Sequence, residues 1–66
     1  MIFIGLLTHK QKQTGFFVSQ DEDFIYLFRG KNSDKPDCIA IFLYEQARIK
    51  EIRDTAEKHS QEMPDG

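Results

Sequence analysis

The hydrophobic residues of this chain lie in short segments, and two of these segments are apolar on both sides. Successive side chains of a β-strand point to opposite faces of the sheet. Every position in residues 24–28 is apolar or aromatic, so this strand has one aromatic row and one aliphatic row. Residues 38–44 repeat the doubled pattern. A sheet built from these strands therefore has two apolar faces.

Only one segment has the composition of a long helix. Residues 45–59 contain no Gly or Pro, and Ile49, Ile52 and Ala56 recur at helical spacing. A single helix covers one face of a sheet, so one apolar face is left over. An uncovered apolar face predicts a contact surface, most economically for a second copy of the same chain.

The other apolar segments predict short antiparallel strands, because connections of three to seven residues are too short for a parallel crossover. Strands are expected at residues 1–8, 16–20, 24–29 and 38–43. An alternative for the last segment is one long helix over about residues 36–59, with Ser33 or Asp34 as its N-cap. The alternation of Ile39 and Ile41 with smaller residues favours the strand.

The predicted fold is therefore a small α+β domain over residues 1–59, followed by a flexible tail over residues 60–66. It consists of an antiparallel β-meander of about four strands with one C-terminal helix packed on one face. The residues expected between sheet and helix are Ile2, Ile4, Ile25, Leu27, Ile39, Ile41, Leu43, Ile49, Ile52 and Ala56. The residues expected to bind a partner on the other face are Phe24, Tyr26, Phe28, Phe42 and Tyr44, with Arg29 at the rim.

The chain length supports this expectation of a partner. A domain of 66 residues has a marginal core unless a disulfide, a metal or another subunit supplements it. Cys38 is the only cysteine, and His9 and His59 are not spaced as metal ligands. No metal or cofactor is predicted, so we expect oligomerisation to stabilise the marginal core.

The N-terminus lacks the order of a signal peptide, and the apolar run over residues 1–7 is far shorter than the roughly 20 residues that span a bilayer. We therefore predict a soluble cytoplasmic protein without membrane contact. The net charge of −2 argues against a protein that binds nucleic acid mainly by neutralising its phosphate groups.

No residue pattern favours catalysis. Cys38 is a conceivable nucleophile with His9 or His59 as its base, but a cysteine that opens an apolar strand is far more often a small buried hydrophobe. The adjacent carboxylates of residues 21–23 do not converge on one cation, because calcium loops spread their ligands over about twelve residues. The sequence predicts no enzyme.

Basic residues are expected at one end of the predicted sheet and acidic residues at the other. The first and third connections share an end and contain the four lysines Lys10, Lys12, Lys31 and Lys35. A basic end beside exposed aromatic rings is typical of proteins that bind single-stranded nucleic acid.

The function predicted from the sequence is a small non-enzymatic interaction module, homodimeric through the aromatic sheet face. The alternative is a nucleic-acid-binding regulator that uses the four lysines. A third possibility is a module that binds a different protein, because Tyr, Phe and Arg are enriched in protein interfaces.

Overall fold

A computed structural model describes residues 4–62, which form a three-stranded antiparallel sheet and two α-helices. The α+β class and the antiparallel sheet predicted from the sequence are confirmed. The strand order is β1-β2-β3. The elements are a 3-10 helix at Ile4–Leu6, α1 at His9–Gln13, β1 at Phe16–Gln20, β2 at Phe24–Arg29, β3 at Asp37–Leu43 and α2 at Ile49–Glu62.

The first predicted strand is wrong over residues 4–8, and residues 1–3 lie outside the described residues. The chain is helical on both sides of Thr8, because a capping box closes the start of α1. The Gln11 N–H donates to the Thr8 hydroxyl at 3.2 Å, and the Thr8 N–H donates to the Gln11 amide oxygen at 3.0 Å. These two bonds satisfy backbone groups that a strand would have paired with β1.

The strand predicted at residues 38–43 is confirmed as β3, so the long-helix alternative is excluded. The helix begins at Ile49 and not at residue 45, because a turn comes first: the Leu43 carbonyl accepts the N–H groups of Gln46 and Ala47. The helix continues to Glu62. Residues 60–62, which were predicted as part of the tail, belong to this helix. Residues 63–66 lie outside the described residues, so the flexible tail stays a prediction there.

The core joins β1 and β2 to α2. Each of its apolar members is at most 6% exposed, and together they enclose the side of the sheet on which Ile25 and Leu27 lie. Its members are Leu7, Phe16, Val18, Ile25, Leu27, Ile52 and Ala56. Ile25, Leu27, Ile52 and Ala56 were predicted there, while Ile49 is 50% exposed and lies outside the core.

A β-bulge in β3 reverses the predicted sides of residues 40–43. Leu27 pairs with Ala40 and Phe28 with Cys38, so Ile39 is an extra residue without a partner in β2. Ile39 and Ala40 both pack against the core. Beyond them the alternation is displaced by one residue, and a displacement of one residue moves every side chain to the other face.

Three predicted positions are corrected by this bulge. Ile41 and Leu43 were expected in the core, but they are 59% and 49% exposed and lie opposite Tyr26 and Phe24. Phe42 was expected beside the aromatic residues, but it lies opposite Ile25 and packs against the core.

Two polar side chains attach the N-terminal segment to α2. The buried Gln11 amide donates to the Arg53 carbonyl at 2.8 Å. The Arg53 guanidinium donates back to the carbonyl of Leu6 at 2.8 Å. A buried amide is tolerated only when it is hydrogen-bonded, so these bonds fix the position of α1 against α2.

Backbone contacts define the two ends of the sheet. At one end the Gly15 carbonyl accepts the N–H of Gly30 at 2.9 Å, and both glycines have positive φ, which side-chain-bearing residues rarely adopt. At the other end the Asp23 carbonyl accepts the N–H of Tyr44 at 2.8 Å. The first end therefore contains the loop over residues 30–36, and the second contains the turn over residues 21–23.

We expect Ile52→Asp to unfold the domain. The substitution places a carboxylate in the core without a partner, and a domain of this size has a stability of only about 5 kcal/mol or less. Circular dichroism during thermal unfolding measures the effect. Ile49→Asp is the matched control: it adds the same charge at an exposed isoleucine of the same helix and should keep a cooperative transition. Loss of folding in both variants would contradict the assignment of the core.

Candidate protein-binding surface

The sheet face opposite the core is the candidate functional surface, and we call it the outer face. The described helices pack on the other side, where Ile52 and Ala56 meet Ile25 and Leu27. Alternation along the strands and the register between them place eight residues on the outer face: Phe17, Ser19, Phe24, Tyr26, Phe28, Cys38, Ile41 and Leu43. Six of the eight are aromatic or aliphatic.

The aromatic side chains of the outer face form a continuous row. The rings of Phe17 and Phe28 stack, with centroids 5.1 Å apart and planes 12° apart. Tyr26 contacts the rings of Phe24 and Phe28, each at 6.2 Å between centroids. Aromatic pairs of this kind add about 0.5–1.5 kcal/mol beyond their burial. The row is thus ordered within a single chain.

Asp21 connects the acidic turn to this row. One carboxylate oxygen accepts the N–H groups of Asp23 and Phe24 at 2.9 Å and 2.8 Å. The other oxygen accepts the hydroxyl of Tyr26. Hydrogen bonds to the carboxylate, chiefly that of Tyr26, lower the pKa of Asp21, and the same bond raises the pKa of Tyr26.

An open groove of about 580 Å³ lies where the outer face meets the acidic turn. Its apolar wall is formed by Phe24, Leu43 and Tyr44, and Tyr44 is 47% exposed. Its other lining residues are Glu22, Asp23, Glu45 and Gln46. The groove therefore combines an apolar wall with three carboxylates.

The structure brings together only part of the predicted partner-binding set. Phe24, Tyr26 and Phe28 lie side by side, and Tyr44 adjoins them at the groove. Phe42 lies on the core side. Arg29 also lies on the core side, where its guanidinium carbon is 5.2 Å from the centre of the Phe16 ring. The Nη1 atom of Arg29 is buried without a hydrogen-bond partner among the described residues.

The four predicted nucleic-acid-binding lysines lie at one end of the sheet but on different elements. Lys10 and Lys12 belong to α1, and Lys31 and Lys35 to the exposed loop that follows β2. The bond between Gly15 and Gly30 places these two elements next to each other. Lys10 lies 3.9 Å from the Glu57 carboxylate, an exposed pair of small energetic value.

Sequence reasoning missed Phe17, Ile41 and Leu43 as members of the outer face. The position of Phe17 follows from its pairing opposite Phe28. The sequence of a single strand does not reveal this pairing. The positions of Ile41 and Leu43 follow from the bulge at Ile39.

The chain matches no known protein-family model, and neither a curated protein nor a solved structure is significantly similar to it. Within residues 4–62, no group of three or more His, Cys, Asp or Glu side chains is arranged to hold a metal ion. In the same part of the chain, no helix has the length and apolar character needed to cross a membrane.

The hydrogen bond between Tyr26 and Asp21 predicts a pH effect. Because the pKa of Asp21 is lowered in the folded protein from its ordinary 3.8, this carboxylate stabilises the fold above that pH, and the contribution is lost as the pH falls through the lower folded value. We expect Tyr26→Phe to raise the pKa of Asp21 towards its ordinary value. Carboxyl NMR titration of both proteins measures the change, and identical Asp21 curves would contradict the bond.

Proposed function

We propose that this protein is a small non-enzymatic interaction module that forms a homodimer by packing two outer faces against each other. The observation that supports this proposal is the row of four aromatic side chains, flanked by Ile41 and Leu43, on the face away from the helices. The four rings are half-buried in the single chain, while Ile41 and Leu43 are exposed beside them. A contiguous apolar patch with polar residues at its rim often marks an interaction site. A symmetric partner gives a closed two-fold interface, the commonest form of soluble homo-oligomer.

The size of the outer face predicts a modest affinity. Three strands of about six residues span roughly 14 by 20 Å, because strands lie about 4.8 Å apart and rise about 3.3 Å per residue. Specific interfaces bury about 800 Å² of accessible surface on each partner. The middle of the sheet supplies only part of that surface, so the residues at its ends must contribute. We therefore expect dimerisation in the micromolar range and not an obligate dimer.

The proposal includes a cytoplasmic location. It is supported by the presence of a single cysteine, because small domains of oxidising compartments usually depend on disulfides. Cys38 is an exposed free thiol on the outer face, next to Phe28.

We expect Ile41→Lys to weaken the dimer at least tenfold, which corresponds to about 1.4 kcal/mol. A lysine at this position would place an unpaired charge beside the aromatic row, within the apolar part of the proposed interface. Ile41 is exposed in the single chain, so the thermal midpoint of the monomer should change little. Sedimentation equilibrium or light scattering over a concentration series measures the dissociation constant.

Ile49→Lys is the matched control for Ile41→Lys. Both isoleucines are about half exposed, but Ile49 begins α2, which packs on the other side of the sheet. The control should dimerise as the original chain does. A folded monomer at several hundred micromolar, or an equal loss of affinity in the two variants, would contradict the proposal and favour a different protein as the partner.

Nucleic-acid binding is the second candidate, and the observation that favours it is the shared end of α1 and the lysine-containing loop. The placement of α1 argues against it, because Gln11 holds this helix on α2 and away from the aromatic row. We expect at most non-specific binding of single-stranded DNA or RNA, with dissociation constants of about 10⁻⁴ to 10⁻⁶ M at physiological salt.

Fluorescence anisotropy with a labelled oligonucleotide at several salt concentrations tests this expectation. A sub-micromolar affinity at about 150 mM salt that falls steeply as salt rises, and that Lys10→Glu with Lys12→Glu abolishes, would support the second candidate. Binding that these substitutions leave unchanged would show that α1 takes no part.

A further inference from the structure

We infer that the two copies pack with their strands in opposite directions, so that the acidic end of each sheet lies over the loop of residues 30–36 of the other copy. This inference rests on the proposed homodimer and specifies its arrangement. The two-fold axis then lies between the sheets and runs across the strands. The other two-fold arrangement, with the axis along the strands, places identical ends together.

The charges at the two ends of the sheet distinguish these arrangements. The acidic end contains four exposed carboxylates within two short segments: Asp21, Glu22, Asp23 and Glu45. The first basic residue after Glu45 along the chain is Arg48, which directly precedes α2. Identical ends would therefore bring eight carboxylates together, and like charges that face each other across an interface disfavour association.

The opposite end of the sheet has a different balance of charge. Lys31 and Lys35 are exposed there, together with Asp34 and Asp37, and α1 adds Lys10 and Lys12 nearby. This end is neutral or basic. Opposite strand directions thus place each carboxylate cluster over an end that contains lysines.

The groove at the acidic end fits a lysine side chain. Its apolar wall of Phe24, Leu43 and Tyr44 suits the methylene stem, and the carboxylates of Glu22, Asp23 and Glu45 suit the ammonium group. Lysine side chains combine these two properties, with an apolar stem and a charged head. The structure therefore points to Lys31 or Lys35 of the second copy as the occupant of the groove.

Charge reversal at the acidic end tests the arrangement, because the two arrangements predict opposite changes in dimer affinity. We expect Glu22→Lys with Asp23→Lys to weaken the dimer about tenfold, and Lys31→Glu with Lys35→Glu to weaken it similarly. All four substitutions in one chain exchange the signs of charge at positions 22, 23, 31 and 35 without altering the net charge, and they should restore the affinity to within about threefold. Lys50→Glu with Lys58→Glu on α2 is the control of equal charge change and should have less than a twofold effect.

Each outcome of this test is informative. A tighter dimer on Glu22→Lys with Asp23→Lys would overturn the arrangement, because it shows that the acidic ends repel each other. An affinity that falls several-fold from 50 to 500 mM NaCl supports attraction between unlike ends, while an affinity that rises with salt overturns it. A chain that is monomeric at every concentration overturns the homodimer itself, so the two failures are distinguishable.

Cross-linking gives an independent measurement in a Cys38→Ser background. Mixing Glu22→Cys protein with Asn32→Cys protein under mild oxidation should give mainly the mixed disulfide dimer. Glu22→Cys protein that cross-links to itself as fast as to Asn32→Cys protein would place the acidic ends together and overturn the arrangement.

Discussion

One unpaired residue in β3 decides which side chains reach the core. Ile39 has no partner in β2, and it packs against the core together with its neighbour Ala40. The strand beyond is displaced by one position, so Phe42 turns to the core while Ile41 and Leu43 join the aromatic row of β2. A regular strand would have buried both aliphatic side chains. The bulge therefore places two aliphatic side chains, and not Phe42, beside the aromatic row of β2.

The N-terminal segment limits the sheet to three strands. A fourth strand on β1 would have extended the outer face by about 4.8 Å. In the described chain, Leu7 fills the core instead, and Gln11 and Arg53 join this segment to α2 through hydrogen bonds. The helix and the N-terminal segment thus share one side of the sheet. The sheet that results has one well-covered face and one small apolar face.

The sequence contained enough information for part of this architecture. Alternation over residues 24–28 correctly assigned Ile25 and Leu27 to the core and Phe24, Tyr26 and Phe28 to the other side. The start of α1 was missed, because a strand was predicted over residues 1–8, but it was readable in principle, since Thr8 and Gln11 have the spacing of a capping box. The bulge was not, since an extra residue depends on how two strands pair and leaves no mark in the alternation of either one. The position of Phe42 was missed for the same reason, whereas the side of Arg29 was misassigned although alternation along β2 already places it with Ile25 and Leu27.

The hydrogen bond between Tyr26 and Asp21 makes the apolar and acidic parts of the surface one unit. Tyr26 lies in the middle of the aromatic row, and the carboxylate that its hydroxyl contacts also holds the N–H groups of Asp23 and Phe24. The positions of Glu22 and Asp23 are thereby tied to the rings. In the proposed dimer, burial of the rings supplies most of the affinity, since apolar burial is the dominant favourable term in association. Charges at the rim act mainly on orientation and partner choice. In the proposed dimer, a turn fixed to the aromatic row would therefore let charge distinguish the two two-fold arrangements of a small apolar face.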